Sequence, residues 1–182
     1  MKGAVLSIAI IGLLAGCSPK PVAGTPWVYR MAGDQGPPYP HADKMFTFPG
    51  GTADTEMQCD NSFGDNGTIV GRMLTLDVIL KDLAGKPLKL NSESSERAQI
   101  DLIAASGRRK STWVEIRSPG HFAASFYGND SDSNIHLPDM IDLRLASGHM
   151  ERLVLGTSQP SFARFLERCE TYAVPGITVT PR

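Results

Sequence analysis

Apolar and polar residues alternate along most of this chain from residue 44 onward, in short runs separated by turn residues. A period of two predicts strands with one buried face, and the Gly, Pro, Asn and Asp residues between the runs predict turns. The runs cover residues 45–48, 55–59, 68–80, 98–104, 112–117, 122–127, 140–145 and 150–155. The last two runs are joined across 147–149, and the 98–104 and 112–117 runs across 106–110, so both pairs predict hairpins. We therefore expect an all-β domain over residues 44–182, a single β-sandwich or barrel.

The period changes from two to that of a helix in residues 158–169. Four residues at i, i+3, i+4 and i+7 form one apolar stripe: Phe162, Phe165, Leu166 and Cys169. Ser158 suits the N-cap and Pro160 the first turn. The pattern predicts one short C-terminal helix that caps the β core with Cys169 facing inward. After it, residues 177–179 predict an edge strand.

Prolines and glycines dominate residues 17–43, which predicts a semi-rigid tether and connecting loop before the domain. Within it, Trp27-Val28-Tyr29 predicts a first short strand whose aromatic rings face the core. An exposed aromatic contact patch is the alternative.

The first 16 residues have the pattern of a secretory signal peptide, in which Lys2 precedes an apolar run from Ala4 to Leu14. That run is shorter than the roughly 20 residues a membrane-spanning helix needs. The segment Leu14-Ala15-Gly16-Cys17 resembles the lipobox of bacterial lipoproteins. The resemblance implies cleavage before Cys17, a diacylglycerol on its thiol and a further acyl chain such as palmitate on its amine, which together anchor the chain stably in a membrane.

Ser18 follows the lipidated position, where an aspartate would indicate retention at the inner membrane. The resemblance thus implies the outer membrane, with the domain on its periplasmic face. In that oxidising compartment the two remaining cysteines, Cys59 and Cys169, form an even pair. We expect a structural disulfide between them; two separate buried thiols are the alternative.

Charge and known motifs exclude several classes of function. The chain has 18 Lys and Arg against 19 Asp and Glu, with a single basic triplet at Arg108-Arg109-Lys110, so nothing predicts binding to nucleic acid. No nucleophile elbow, zinc-protease motif or phosphate-binding glycine loop is present. The histidines lie beside turns or strand ends and are interpreted as surface or capping residues: His41, His121, His136 and His149. The sequence predicts no catalytic residue, no cofactor and no metal site.

One stretch, residues 129–134, has the spacing of oxygen ligands in a calcium loop, with Asp130, Asp132 and Asn134 alternating. Ile135 replaces the turn glycine and Ile141 the closing glutamate of such a loop. Asx-rich turns also form without an ion, so ion binding by these three residues is left open.

Residues 105–111, Ala-Ser-Gly-Arg-Arg-Lys-Ser, with Trp113 two positions on, are similar to the loop of periplasmic C-type lysozyme inhibitors. That family has small β-barrels with a disulfide, and an aromatic residue where Lys110 stands here. A polar hairpin turn is the alternative interpretation, and no inhibitory residue is assigned.

Together these features predict a non-enzymatic, lipid-anchored binding module of the periplasm. We expect an inhibitor or immunity-type protector that binds an enzyme attacking the envelope or cell wall. The alternative is an accessory lipoprotein of an outer-membrane or secretion assembly.

Overall fold

A computed structural model describes residues 19–32, 39–63, 69–128, 137–157 and 159–171. The signal peptide, Cys17, the calcium-like residues 129–134, His136 and the predicted edge strand 177–179 lie outside these described ranges. Within them the chain forms ten strands and one helix. The elements are β1 (Pro21–Ala23), β2 (Val28–Ala32), β3 (Tyr39–Phe48), β4 (Gly51–Phe63), β5 (Ile69–Asp82), β6 (Arg97–Ile103), β7 (Arg109–Ser118), β8 (His121–Gly128), β9 (Met140–Arg144), β10 (Met150–Val154) and α1 (Pro160–Thr171).

All ten strands belong to one sheet in the order β1-β10-β9-β6-β7-β8-β5-β4-β3-β2, curled into a half-barrel. Only the β1–β10 pair is parallel. The all-β prediction with one short C-terminal helix is confirmed, and both predicted hairpins are present as β6–β7 and β9–β10.

The concave inner face of the sheet carries the core, because alternate residues of the long strands β3, β4, β5 and β8 point the same way. The largest fully buried side chains include Trp27, Phe46, Phe122, Phe162 and Phe165. Helix α1 packs against β2 and β3, with the Phe162 ring centroid 5.0 Å from that of Trp27. No helix within the described ranges has the length and hydropathy needed to cross a bilayer.

A disulfide joins α1 to the sheet between Cys59 and Cys169, whose Cα atoms are 5.6 Å apart. The prediction of this bond is confirmed. The apolar stripe of α1 turns Cys169 toward the core, where it is 2% exposed, and Cys59 reaches it from the inner face of β4.

One polar group is built into the core beside the helix. Lys44 is 4% exposed, and its Nζ donates a hydrogen bond of 2.8 Å to the Leu155 carbonyl oxygen, which also accepts from Trp27 Nε1. Its ammonium group lies 5.2 Å from the centroid of the Phe46 ring. Burial lowers the pKa of Lys44, and the charge of Asp139 partly opposes the shift.

The sheet takes up much of the segment whose proline content predicts a tether. Strand β2 pairs with β3 from Val28 onward, so residues 28 and 29 of the predicted short strand lie in a strand. The Trp27 ring faces the core, as predicted, and is 2% exposed. Strand β3 begins at Tyr39, five residues before the predicted domain boundary. The prolines are accommodated at the margins of the ladder: Pro21 is in the edge strand β1, and Pro40 precedes the first residue of β3 that pairs with β4.

Glycine is required at the turn between β7 and β8. Gly120 has φ +76°, and its carbonyl accepts a hydrogen bond of 2.7 Å from the Leu80 amide. A Cβ atom there would lie 2.7 Å from the Leu80 carbonyl oxygen. The turn can therefore pack closely on β5 only without a side chain.

Candidate functional site

Three carboxylates lie side by side on the outer face of the sheet. Asp43 on β3 is directly opposite Glu56 on β4, and Glu56 is directly opposite Asp77 on β5. Side chains in such positions have Cβ atoms about 5 Å apart, and like charges there repel each other. The row is therefore costly to the fold unless cations or donors offset it.

The row lies in a groove of about 630 Å³ between β2 and β8, which we call the outer-face groove. Its lining includes Val28, Arg30, Asp43, Met45, Glu56, Gln58, Asp77, Ile79, Arg117 and His121. Three of these are apolar residues left 40–47% exposed: Val28, Met45 and Ile79. The groove thus places carboxylates beside exposed aliphatic surface.

Asp77 is the most buried carboxylate of the groove, at 7% exposure. Its Oδ1 accepts a hydrogen bond of 2.7 Å from Arg117 and lies 3.0 Å from His121 Nε2. Its Oδ2 is buried and has no hydrogen-bond partner within the described ranges. An orphaned carboxylate oxygen is expensive in a folded protein, so this atom is a candidate for ligand binding.

His41 lies on the same face, opposite Gln58 and next to Asp43. It is 8% exposed, and its Nδ1 is the second buried polar atom without a partner among the described residues. Its Nε2 lies 3.6 Å from Asp43 Oδ2, too far for a hydrogen bond. One ligand atom each from His41, Asp43 and Glu56 lies within 4.8 Å of the others.

A second charged cluster lies across the sheet on β6, β7, β9 and β10. Asp142 is 2% exposed and accepts hydrogen bonds of 2.7 and 2.8 Å from Arg152 and one of 2.9 Å from Arg109. Arg109 also bonds Asp101 at 2.9 Å. The hydrogen bond to Asp142 raises the pKa of Arg152, against the effect of burial. Both carboxylate oxygens of Asp142 accept hydrogen bonds from arginine side chains. We call this group of paired charges the closed cluster.

The interpretation of the histidines as surface or capping residues needs correction at His41, whereas His121 is a partly exposed residue at a strand end, as predicted. His41 is buried because it lies inside the β3 ladder between paired neighbours, and His121 lies at the start of β8 with its ring against Asp77. His149 is exposed, as the sequence predicts. In the described part of the chain, no hydroxyl or thiol hydrogen-bonds His41 or His121, so the groove offers acceptors and imidazoles rather than an assembled nucleophile.

The loop similar to that of lysozyme inhibitors lies in the β6–β7 hairpin. Arg109 of that loop is engaged in the closed cluster, whereas the Trp113 side chain is 51% exposed.

Sequence reasoning missed the residues of the groove. The local pattern marks Glu56 and Asp77 only as polar positions in alternating runs, and it assigns Asp43 to the predicted tether. Their meeting depends on the pairing of β3, β4 and β5, which no single run contains. The signal that could have found them is one acidic residue at an outward-facing position in each of three consecutive strands, which requires the first strand to extend back to Asp43.

Comparison with known proteins does not add a function to this geometry, because no family model, curated protein or solved structure matches the chain.

Proposed function

We propose that this protein is a lipid-anchored binding module of the bacterial envelope and that it docks a protein partner in the outer-face groove. The observation that carries the proposal is the composition of the groove, where the carboxylates of Asp43 and Glu56 adjoin exposed Val28, Met45 and Ile79. Apolar contact supplies affinity and charged groups supply specificity at protein interfaces. The complementary partner presents cationic side chains around an aliphatic patch.

The rigid support of this surface favours a binding role. Long strands β3, β4 and β5 carry it, and the disulfide ties the same part of the sheet to α1. Sites on such elements are held in place before binding, which lowers the entropic cost of association. We propose, more specifically, an inhibitor or immunity-type protector against an enzyme that attacks the cell wall or envelope, anchored through Cys17 to the periplasmic face of the outer membrane.

The anchor is tested by labelling cells with a fatty-acid probe. We expect the protein to be labelled and to fractionate with the outer membrane, and Cys17→Ser to abolish both. An unlabelled protein that fractionates identically with serine at this position would refute the anchor.

The binding role is tested with purified cell-wall hydrolases of the muramidase, amidase and endopeptidase classes. We expect the protein to inhibit one class and Glu56→Gln to weaken that inhibition. Glu115→Gln is the matched control, because Glu115 is an exposed carboxylate of the same sheet outside the groove. Failure to inhibit any class, together with no protection of growing cells, would refute the protector role.

The second candidate, an accessory lipoprotein of an envelope assembly, is favoured by apolar side chains exposed outside the groove. Leu83 is 77% exposed and Trp113 51%. This role predicts crosslinks from position 113 to integral envelope proteins, whereas the protector role predicts crosslinks from position 45 to a hydrolase.

A further inference from the structure

We propose that His41, Asp43 and Glu56 bind a divalent transition-metal ion of the Zn²⁺ type at the β2 side of the outer-face groove. The site shares Asp43 and Glu56 with the partner surface proposed above, but ion binding is tested on the protein alone. It is a cluster of one imidazole and two carboxylates on two adjacent strands.

The spacing of the three groups suits a metal ion. Ligand atoms about 2.0–2.2 Å from a tetrahedral zinc ion are roughly 3.3–3.6 Å from each other. His41 Nε2 and Asp43 Oδ2 are 3.6 Å apart, and the Glu56 ligand atom lies within 4.8 Å of both partners. A small rotation of the partly buried Glu56 side chain closes the remaining gap.

The state of the His41 ring is the independent sign of a ligand. The side chain is nine-tenths buried, yet neither ring nitrogen makes a hydrogen bond with any described residue. Leaving a buried polar group unsatisfied costs about 1–3 kcal/mol. A metal bond satisfies Nε2, the nitrogen that faces Asp43, whereas Nδ1 stays without a partner among the described residues.

Neighbouring residues prepare the two carboxylates in different ways. Gln58 Nε2 donates a hydrogen bond of 3.1 Å to Glu56 Oε1 and orients that carboxylate, as outer partners of metal ligands do. Arg30 Nε lies 3.3 Å from Asp43 Oδ2 and competes for the same oxygen. The Arg30 side chain is 64% exposed, so it can turn away from Asp43 into the solvent when a metal ion binds.

The donor set decides the class of ion. One nitrogen and two oxygens suit Zn²⁺ and similar transition metals, whereas Ca²⁺ and Mg²⁺ prefer sites made only of oxygen ligands. Three protein ligands also leave a position open for water or for a group of a bound partner.

The test is a titration of the tag-free, disulfide-bonded protein with ZnCl₂. Calorimetry measures the binding, and the thermal unfolding midpoint measures the change in stability. We expect one ion per chain, a raised midpoint and no comparable response to CaCl₂. Glu56→Gln should weaken the affinity at least about tenfold, and Arg30→Gln should tighten it because the competing cation is gone. Glu115→Gln, the matched control, should bind as the wild type does.

Circular dichroism without metal verifies that each variant is folded, and Asp43→Asn replaces Glu56→Gln if the latter is not. Absence of zinc binding by the wild type overturns the proposal. Zinc binding that is equal in the wild type and in the folded Glu56→Gln or Asp43→Asn variant overturns it as well, because the ion is then bound elsewhere. Failure of the protector experiments leaves this result unaffected, since no partner is present.

Discussion

Two buried aspartates on one sheet have opposite surroundings. Asp142 on β9 holds two arginines with three hydrogen bonds that use both of its oxygens. Asp77 on β5 is almost as buried, but its Oδ1 takes both contacts, from Arg117 and His121, while Oδ2 has none. The same residue type thus belongs to a closed cluster in one half of the sheet and to an open groove in the other.

The difference separates a structural role from a binding role. A buried charge that is fully paired stabilises the fold only if it stays paired, and losing one partner is costly. Buried polar atoms without partners are instead expected where a ligand completes them. Both halves of the sheet contribute to the apolar core. The half with β6, β9 and β10 also contains ion pairs that are costly to break, and the half with β2 to β5 contains the disulfide.

The largest effect is expected from removing the covalent link in the open half. Reduction of the Cys59–Cys169 bond should lower the free energy of unfolding by about 4 kcal/mol, because the bond closes a loop of over a hundred residues. Urea unfolding with and without reductant measures the loss. The Cys59→Ala/Cys169→Ala double variant is the control and should not respond to reductant. An unchanged wild-type midpoint after verified reduction would contradict this view of the open half.

The comparison itself is tested by the matched pair Asp142→Asn and Asp77→Asn. We expect Asp142→Asn to cost about 3 kcal/mol, because Arg152, with its side chain only 14% exposed, loses its partner. Asp77→Asn should cost about 1 kcal/mol or less, because Arg117 is 41% exposed and returns to water. Urea midpoints of the two variants give both values. Equal costs would remove the distinction between closed and open clusters.

A pH effect is expected from Lys44 in the core of the open half. Burial lowers the pKa of Lys44 below its usual 10.5, so between the folded and the unfolded pKa the unfolded chain binds more protons. The free energy of unfolding therefore rises with pH in that window. Below the window Lys44 is charged in both states, and the folded state bears the whole cost of burying the charge. Lys44→Met should remove this rise in urea midpoints measured from pH 7 to 10, whereas Lys81→Met, at an exposed ion pair with Asp54, should keep it. Parallel curves for the wild type and Lys44→Met would rule out the effect.

The smallest effect on stability is expected from Arg30→Gln at the edge of the groove. Its ion pair with Asp43 is 3.3 Å long and exposed, and such surface pairs contribute at most about 1 kcal/mol. The urea midpoint should therefore stay within error of the wild type. A large loss would mean that Arg30 is structural and that the groove is closed like the Asp142 cluster.

The elements of the fold could be predicted because their signals are local. Alternation identified the strands that became β3 to β10, the i, i+3, i+4, i+7 stripe identified α1, and the same stripe turned Cys169 toward Cys59. The prolines of residues 17–43 misdirected the prediction toward a tether, because proline limits a strand only where its missing N–H is needed. At the edge strand and at the end of the β3–β4 ladder it is not needed.

By itself, the sequence determined the strand-rich architecture, the short helix and the cysteine pair, and it predicts the lipid anchor at Cys17. Only the tertiary structure decided that ten strands form one curled sheet in this order, and that Asp43, Glu56 and Asp77 stand in one row. The physical reason is that periodicity depends on neighbours along the chain, whereas register depends on contacts between segments tens of residues apart. The groove and its unpartnered atoms are products of register.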